Sequence, residues 1–243
     1  MAAGTFSVSH ALGIPHEYDP IAGAALVAVV LTVVGIGVHT KLRKIDDHVL
    51  PEPKITLVNI AASIANMWRG MLESIIGHGG EKYLAFIAST FCFILLMNLM
   101  GLVPGFPHPT GNLSTNAAMA VTVFVVYNAL GFKEHGIGYL KQLTGGVSPK
   151  GYGILLGALM TAIALLMIGI EIMGHAIRPV SLSLRLWGNM TGDHALVGVF
   201  SSIFPIGLPI VFMAMGVFVS VIQALVFTLL STVYIKLAVS HDH

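Results

Sequence analysis

Charge is the scarcest commodity in this sequence, and its scarcity excludes most classes of protein at once. Of 243 residues, 12 are Lys or Arg and 11 are Asp or Glu, 9% in all, where a soluble domain carries about 25%. Too few charges remain to cover a globular surface. With 56% hydrophobic residues and a mean hydropathy of +0.87, the chain is read as an integral membrane protein. The net charge of +1 and the lack of any basic run exclude nucleic acid as a partner. Cysteine is nearly absent: Cys92 stands alone inside an apolar run, which excludes a disulfide framework and a thiolate metal site. No metal and no cofactor is expected. A phosphate-cradling glycine motif is also missing, so no direct nucleotide binding is expected. Residues 1–20 contain no Lys or Arg; without a basic n-region, the first apolar run reads as an uncleaved span. Neither a fixed-period repeat nor mirrored halves are visible, unlike carriers built from inverted repeats.

What is present is apolar length. At about 20 residues per crossing, spans are expected at 21–40, at 83–103 and 117–136 as a hairpin, and at 206–239. The hairpin turns through Pro104–Asn112, which is rich in Pro and Gly and carries no charge. In 57–77, Asn59, Ser63, Asn66, Arg69 and Glu73 interrupt Ile60, Ile64, Met67, Trp68 and Met71, a pattern that suits an interfacial amphipathic helix. Residues 152–204 run almost unbroken, Pro179 being the one internal breaker. As one helix that run is about 75 Å long against a bilayer core of about 30 Å, so it crosses twice or lies obliquely. Lys41, Arg43, Lys44, Lys54, Arg69 and Lys82 lie between the first and second spans and mark that side as cytoplasmic. The 104–112 loop is then external, and Lys133, Lys141 and Lys150 return inside. One oblique crossing brings Lys236 back to the cytoplasm and is preferred. The expected fold is all-α: a single membrane domain, 1–243, with about five crossing helices and one interfacial helix. Residues 1–20 are expected outside and the C-terminus inside.

Arg185 lies in the apolar stretch Ser181–Met190 with no acid beside it. Its guanidinium stays charged, with a pKa above about 12, and placing it mid-bilayer costs roughly 2.5–3.5 kcal/mol on insertion scales. On a helical wheel Glu171, His175, Arg178, Arg185, Asn189 and Asp193 share an arc of about 80°, along about 33 Å of axis. Polar groups in a membrane face protein or water, so the stripe reads as the wall of a hydrated ion path. His194 falls off this arc and is expected against the last helix. Gly174, Ser181, Gly188 and Ala195 recur every seventh residue, with Gly192 on the same side. Such small residues admit a close partner helix. The competing readings are an ion pair of Arg185 with Asp193 or Glu171, mere packing at Gly188 and Gly192, and haem ligation by His175 or His194. The last lacks a second histidine pair on another span.

Residues Ser181–His194, with Asn98–Pro104 and Gln223–Leu230 in the expected order, resemble subunit a of the F-type ATP synthases, the membrane stator that faces the ring of c subunits. The resemblance implies that the last two helices form a long tilted hairpin against that ring, and that the N-terminus is external. By motif position Arg185 matches the essential arginine, Asn189 and Gln223 match polar residues around it, and Glu171 matches an acid fourteen residues earlier. His194 stands where many members carry an acid and others a histidine. One departure is Gly216, where a second titratable group is usual; Asp193 and His194 are therefore expected to share the relay. The implied partners are the c-ring, b-type peripheral-stalk subunits and the lipid of a bacterial inner membrane, with ATP chemistry left to other subunits. The expected mechanism has Asn189, Asp193, His194 and Gln223 on an external half-path and Glu171 and His175 on a cytoplasmic one. Gly174, Ser181, Gly188, Gly192 and Ala195 are expected to face the ring. Arg185 separates the paths, and the proton is the default coupling ion. A stand-alone ion or solute carrier is the rival reading.

Overall fold

The computed structural model describes residue 15 and residues 18–43, 56–77, 79–103, 106, 108–136, 139, 154–203 and 207–239. Most of the N-terminal segment, Lys44, Lys54, Lys141, Lys150, Pro104, Gly105, Pro107, the first two residues of the 152–204 run and residues 204–206 lie outside the described residues.

Among the described residues there is no strand. The helices are α1 (Asp19–Arg43), α2 (Leu57–Ile76), α3 (Leu84–Leu102), α4 (Leu113–His135), α5 (Ile154–Ile203) and α6 (Gly207–Val239), with 3₁₀ turns at Gly80–Tyr83 and Pro109–Gly111. All but α2 are long and apolar enough to cross a membrane. The protein is thus an all-α, multi-pass membrane protein.

α2 keeps the amphipathic character of its sequence. Trp68 and Leu72 are fully buried, and the Trp68 ring packs against Phe91 of α3 at 5.5 Å. The helix ends at Gly77, whose φ of 87° is a conformation natural to glycine. Arg69 Nε meets Glu81 Oε1 at 3.2 Å, but both side chains are exposed, so the pair contributes at most about 1 kcal/mol.

α3 buries Ile87, Phe91, Ile94, Met97, Asn98 and Gly101 along one side, the three-and-four spacing of a helix face. α4 starts at Leu113, four residues ahead of the expected 117, because the Asn112 side chain caps it by accepting from the Ser114 N–H at 2.9 Å.

α5 is one uninterrupted helix of 50 residues that includes Pro179. It contains no turn at which to cross twice. At about 75 Å it must run obliquely to stay within a bilayer core of about 30 Å. Pro179 supplies no N–H, yet the helix continues through it. α6 returns antiparallel to α5, with Phe200 and Phe212 stacked at 4.5 Å near the turn and Arg178 5.1 Å from the Tyr234 ring towards the far end.

In a bilayer the hydrophobic effect does not drive helix against helix, so close packing must. α6 accordingly buries a seam of small residues: Ser220, Ala224, Thr228, Ser231 and Thr232. The hydroxyls of Thr228, Ser231 and Thr232 donate to the carbonyls of Ala224, Phe227 and Thr228 at 2.7–2.9 Å. Each is satisfied by its own helix, which leaves the seam free to pack. Leu182, Leu186 and Met190 bury the inward face of α5.

A polar path along the longest helix

The polar residues of α5 fall into two groups, with Arg185 between them. Both groups are made by the tertiary packing, because each draws in side chains from other helices.

At the first group His175 is the hub. Its Nε2 lies 3.3 Å from Glu171 Oε1, one turn earlier on α5, and its Nδ1 lies 3.3 Å from the Tyr127 hydroxyl of α4. The imidazole can therefore take a proton at one nitrogen and give one at the other. Tyr127 is fully buried and lies 5.9 Å from the Tyr234 ring, over which Arg178 is placed. Arg178, which the sequence places on the same polar arc, is half-buried in the fold against an aromatic face. Nearby, Tyr139 donates to Asn128 Oδ1 at 3.2 Å, and Asn128 Nδ2 donates to the Phe124 carbonyl at 2.7 Å. Burial raises the Tyr139 phenol above its ordinary pKa, so it stays protonated and keeps donating.

The second group begins at Asn189, about 6 Å along the axis beyond Arg185, and reaches Asp193, about 12 Å beyond it. Asn189 and Asp193 of α5, Asn98 of α3 and Ser220 and Gln223 of α6 line one small cleft, floored by Leu186, Met190 and Val219. Three residues expected together from the sequence do meet here: Asn189, Asp193 and Gln223. His194 points elsewhere. Its ring stacks on His108, centroids 4.2 Å apart and planes 13° from parallel, and its Nε2 lies close to Gly101 of α3. The expectation that His194 turns to the last helix gives way to this contact with the α3–α4 connection. Position 216 is occupied differently too: a Cβ there would meet Leu102 Cδ2 at 2.6 Å, so α3 approaches α6 where a larger side chain would otherwise stand.

Arg185 is exposed, and among the described residues no ion pair or side-chain hydrogen bond reaches it. This removes the alternative in which Arg185 is a structural partner of Asp193 or Glu171. The small residues share that open surface. Ser181, Gly188, Gly192 and Ala195 are exposed, Gly174 is half-buried, and a Cβ at any of the three glycines would meet nothing within 4 Å. Around them stand exposed Leu184, Trp187, Leu196 and Val199. Among the described residues, then, nothing meets the open side of these three glycines.

His108, Tyr127, Tyr234 and Ser220 are the members that sequence reasoning misses. Each is an isolated polar residue whose neighbours come from other helices, so no local pattern marks it. Asn98 carried a signal, since it opens the Asn98–Pro104 motif.

Comparison with known proteins agrees with this architecture. The ATP synthase A chain family matches residues 21–236. The chain is 40% identical over 232 residues to ATP synthase subunit a of Bdellovibrio bacteriovorus, covering 95% of this chain and 96% of that one. It is 35% identical over 235 residues to ATP synthase subunit a of Citrifermentans bemidjiense, covering 96% and 93%. With ATP synthase subunit a 2 of Syntrophotalea carbinolica it shares 43% identity over 175 residues, 72% of this chain and 69% of that one. A match over nearly the whole length, on a fold whose 50-residue helix carries the exposed Arg185, leads to one conclusion: this chain belongs to the ATP synthase A chain family.

Proposed function

We propose that this chain is the proton-translocating stator subunit of a rotary ATP synthase, working against a ring of carboxylate-bearing c subunits in a bacterial inner membrane. Catalysis of ATP chemistry resides in other subunits. The observation that carries the proposal is the position of Arg185: exposed, without an ion pair or side-chain hydrogen bond among the described residues, and flanked along α5 by two separately built polar groups.

The mechanism follows from the cost of charge in lipid. A ring carboxylic acid crosses the lipid-facing arc only when neutral, because a bare carboxylate there is prohibitive. Opposite Arg185 the carboxylate form is stabilised, and the acid releases its proton. Glu171 and His175 take protons towards the cytoplasm, whereas Asn189, Asp193, His194 and Gln223 deliver them from outside. The guanidinium lies between and repels any proton that would pass directly. The stripe of Gly174, Ser181, Gly188, Gly192 and Ala195 lets ring helices pass close to the α5 backbone. In this orientation the α3–α4 connection is external, and Lys133 and Lys236 are cytoplasmic, as the positive-inside rule requires. Peripheral-stalk subunits of b type hold the chain still.

The test is Arg185→Ala in the assembled complex reconstituted into vesicles. ATP-driven pumping is expected to vanish while passive proton leak is unchanged or higher. Pumping that survives with the variant chain present in the membrane overturns the proposal.

A further inference from the structure

The polar end of the bundle near the α3–α4 connection holds a titratable group that the path described above does not use. His108 precedes the 3₁₀ turn Pro109–Gly111 and is exposed, whereas its stacking partner His194 is half-buried and has its Nε2 sealed off without a hydrogen-bond partner among the described residues. One ring thus faces the aqueous edge and the other faces inward, 4.2 Å away. More unpaired polar atoms gather at this end. Among the described residues Asn98 Oδ1, Thr110 Oγ1 and Asn116 Oδ1 are buried without hydrogen-bond partners, and Asn116 Nδ2 donates to the Thr110 carbonyl at 2.7 Å. Buried polar atoms require partners, and in a polar locus that partner is water.

We propose that His108 is the proton-uptake residue of the external half-path, passing protons from external water to His194. The inference rests on the stator reading and extends it by one residue. A proton from external water binds an imidazole nitrogen of His108. It moves through water to His194, and from there to the cleft of Asn189, Asp193 and Gln223; each ring returns to neutral once it has passed the proton on. Two parallel rings in contact carry one positive charge readily and a second only against Coulomb repulsion, so the pair acts as a single-proton station. The groups near it leave this role open. Gly101 of α3 stands beside His194 and Gly111 of the 3₁₀ turn beside His108, and the neighbouring cleft adds Asn98, Ser220 and Gln223, none of which titrates. Asp193 adjoins His194 on α5, and α1, which packs on the turn, opens with Asp19.

His108→Phe tests this, because it keeps a flat ring on His194 and removes the exchangeable nitrogen. Proton-driven ATP synthesis by the reconstituted complex is expected to fall about tenfold or more at alkaline external pH, where free protons are scarcest. The deficit should shrink as the external side is acidified, where water loads His194 directly. A wild-type rate and pH profile overturns the proposal, and so does a loss that is the same at every pH, which marks a structural role. Should this variant fail to accumulate, His108→Gln is read by the same profile. Arg185→Ala is measured alongside: if it pumps, the stator reading itself fails, whereas an inactive Arg185→Ala beside a normal His108→Phe sinks only the role of His108.

Discussion

Around residues 171–178, the polar side chains of α5 already have partners in this chain: Glu171 and Tyr127 hold His175 from two sides, and Arg178 lies on Tyr234. Around residues 185–194 none of them has an ion pair or a side-chain-to-side-chain hydrogen bond among the described residues, and only His194 has a ring partner, His108. Arg185 is open, Asn189, Asp193 and Gln223 line a cleft without bonding one another, and His194 Nε2 has no partner. The same helix therefore carries one polar group built as a fixed network and another left accessible. A satisfied network contributes rigidity; unsatisfied groups must find water, ions or a partner protein. Substitutions of the groups that hold the first network, such as Tyr127, should be felt mainly in stability, and those in the second group in transport alone.

The largest effect that would sharpen this contrast is on the open face. Gly188→Leu places a side chain where nothing of this chain lies within 4 Å. It should leave the thermal stability of the purified chain unchanged or slightly raised, glycine being about 1 kcal/mol poorer than good helix formers. ATP-driven pumping should nevertheless be lost if ring helices use this face; full pumping would break the contrast. Next is Asp193→Asn, which preserves shape and removes a proton acceptor. Proton-driven ATP synthesis should fall about tenfold, and an unchanged rate removes Asp193 from the path. In the fixed group Tyr127→Phe deletes the hydroxyl that meets His175. A loss of about 1 kcal/mol in unfolding free energy is expected, read by thermal or denaturant unfolding in detergent, with pumping reduced less than in Asp193→Asn. Smallest is Asn112→Ala, which removes the cap of α4 and should cost about 1 kcal/mol or less at this exposed helix end.

Membrane character, the amphipathic α2 and the long final pair of helices were legible in the sequence, because each depends on local composition and period. The union of Asn189, Asp193 and Gln223 was legible too, through helical spacing joined to a motif on another segment. The partners of the histidines were not. A wheel gives the angle of His175 or His194 about its own axis and says nothing of which helix stands opposite; Tyr127 and His108 come from segments 48 and 86 residues away, positions 175 − 127 and 194 − 108. Pro179 was ambiguous for a related reason. A lone proline removes one donor, and whether a helix bends, breaks or continues depends on what packs around it.

By itself, then, the sequence determined which stretches enter the lipid and that a permanent cation enters with them, since transfer out of water is decided residue by residue along a run. Only the tertiary structure decided what that cation and its polar neighbours meet. It gave His175 a tyrosine, gave His194 a second imidazole, closed position 216 with Leu102 and left Arg185 uncovered. Those outcomes depend on how separate helices approach one another, and close approach is set by packing between distant segments rather than by any one of them.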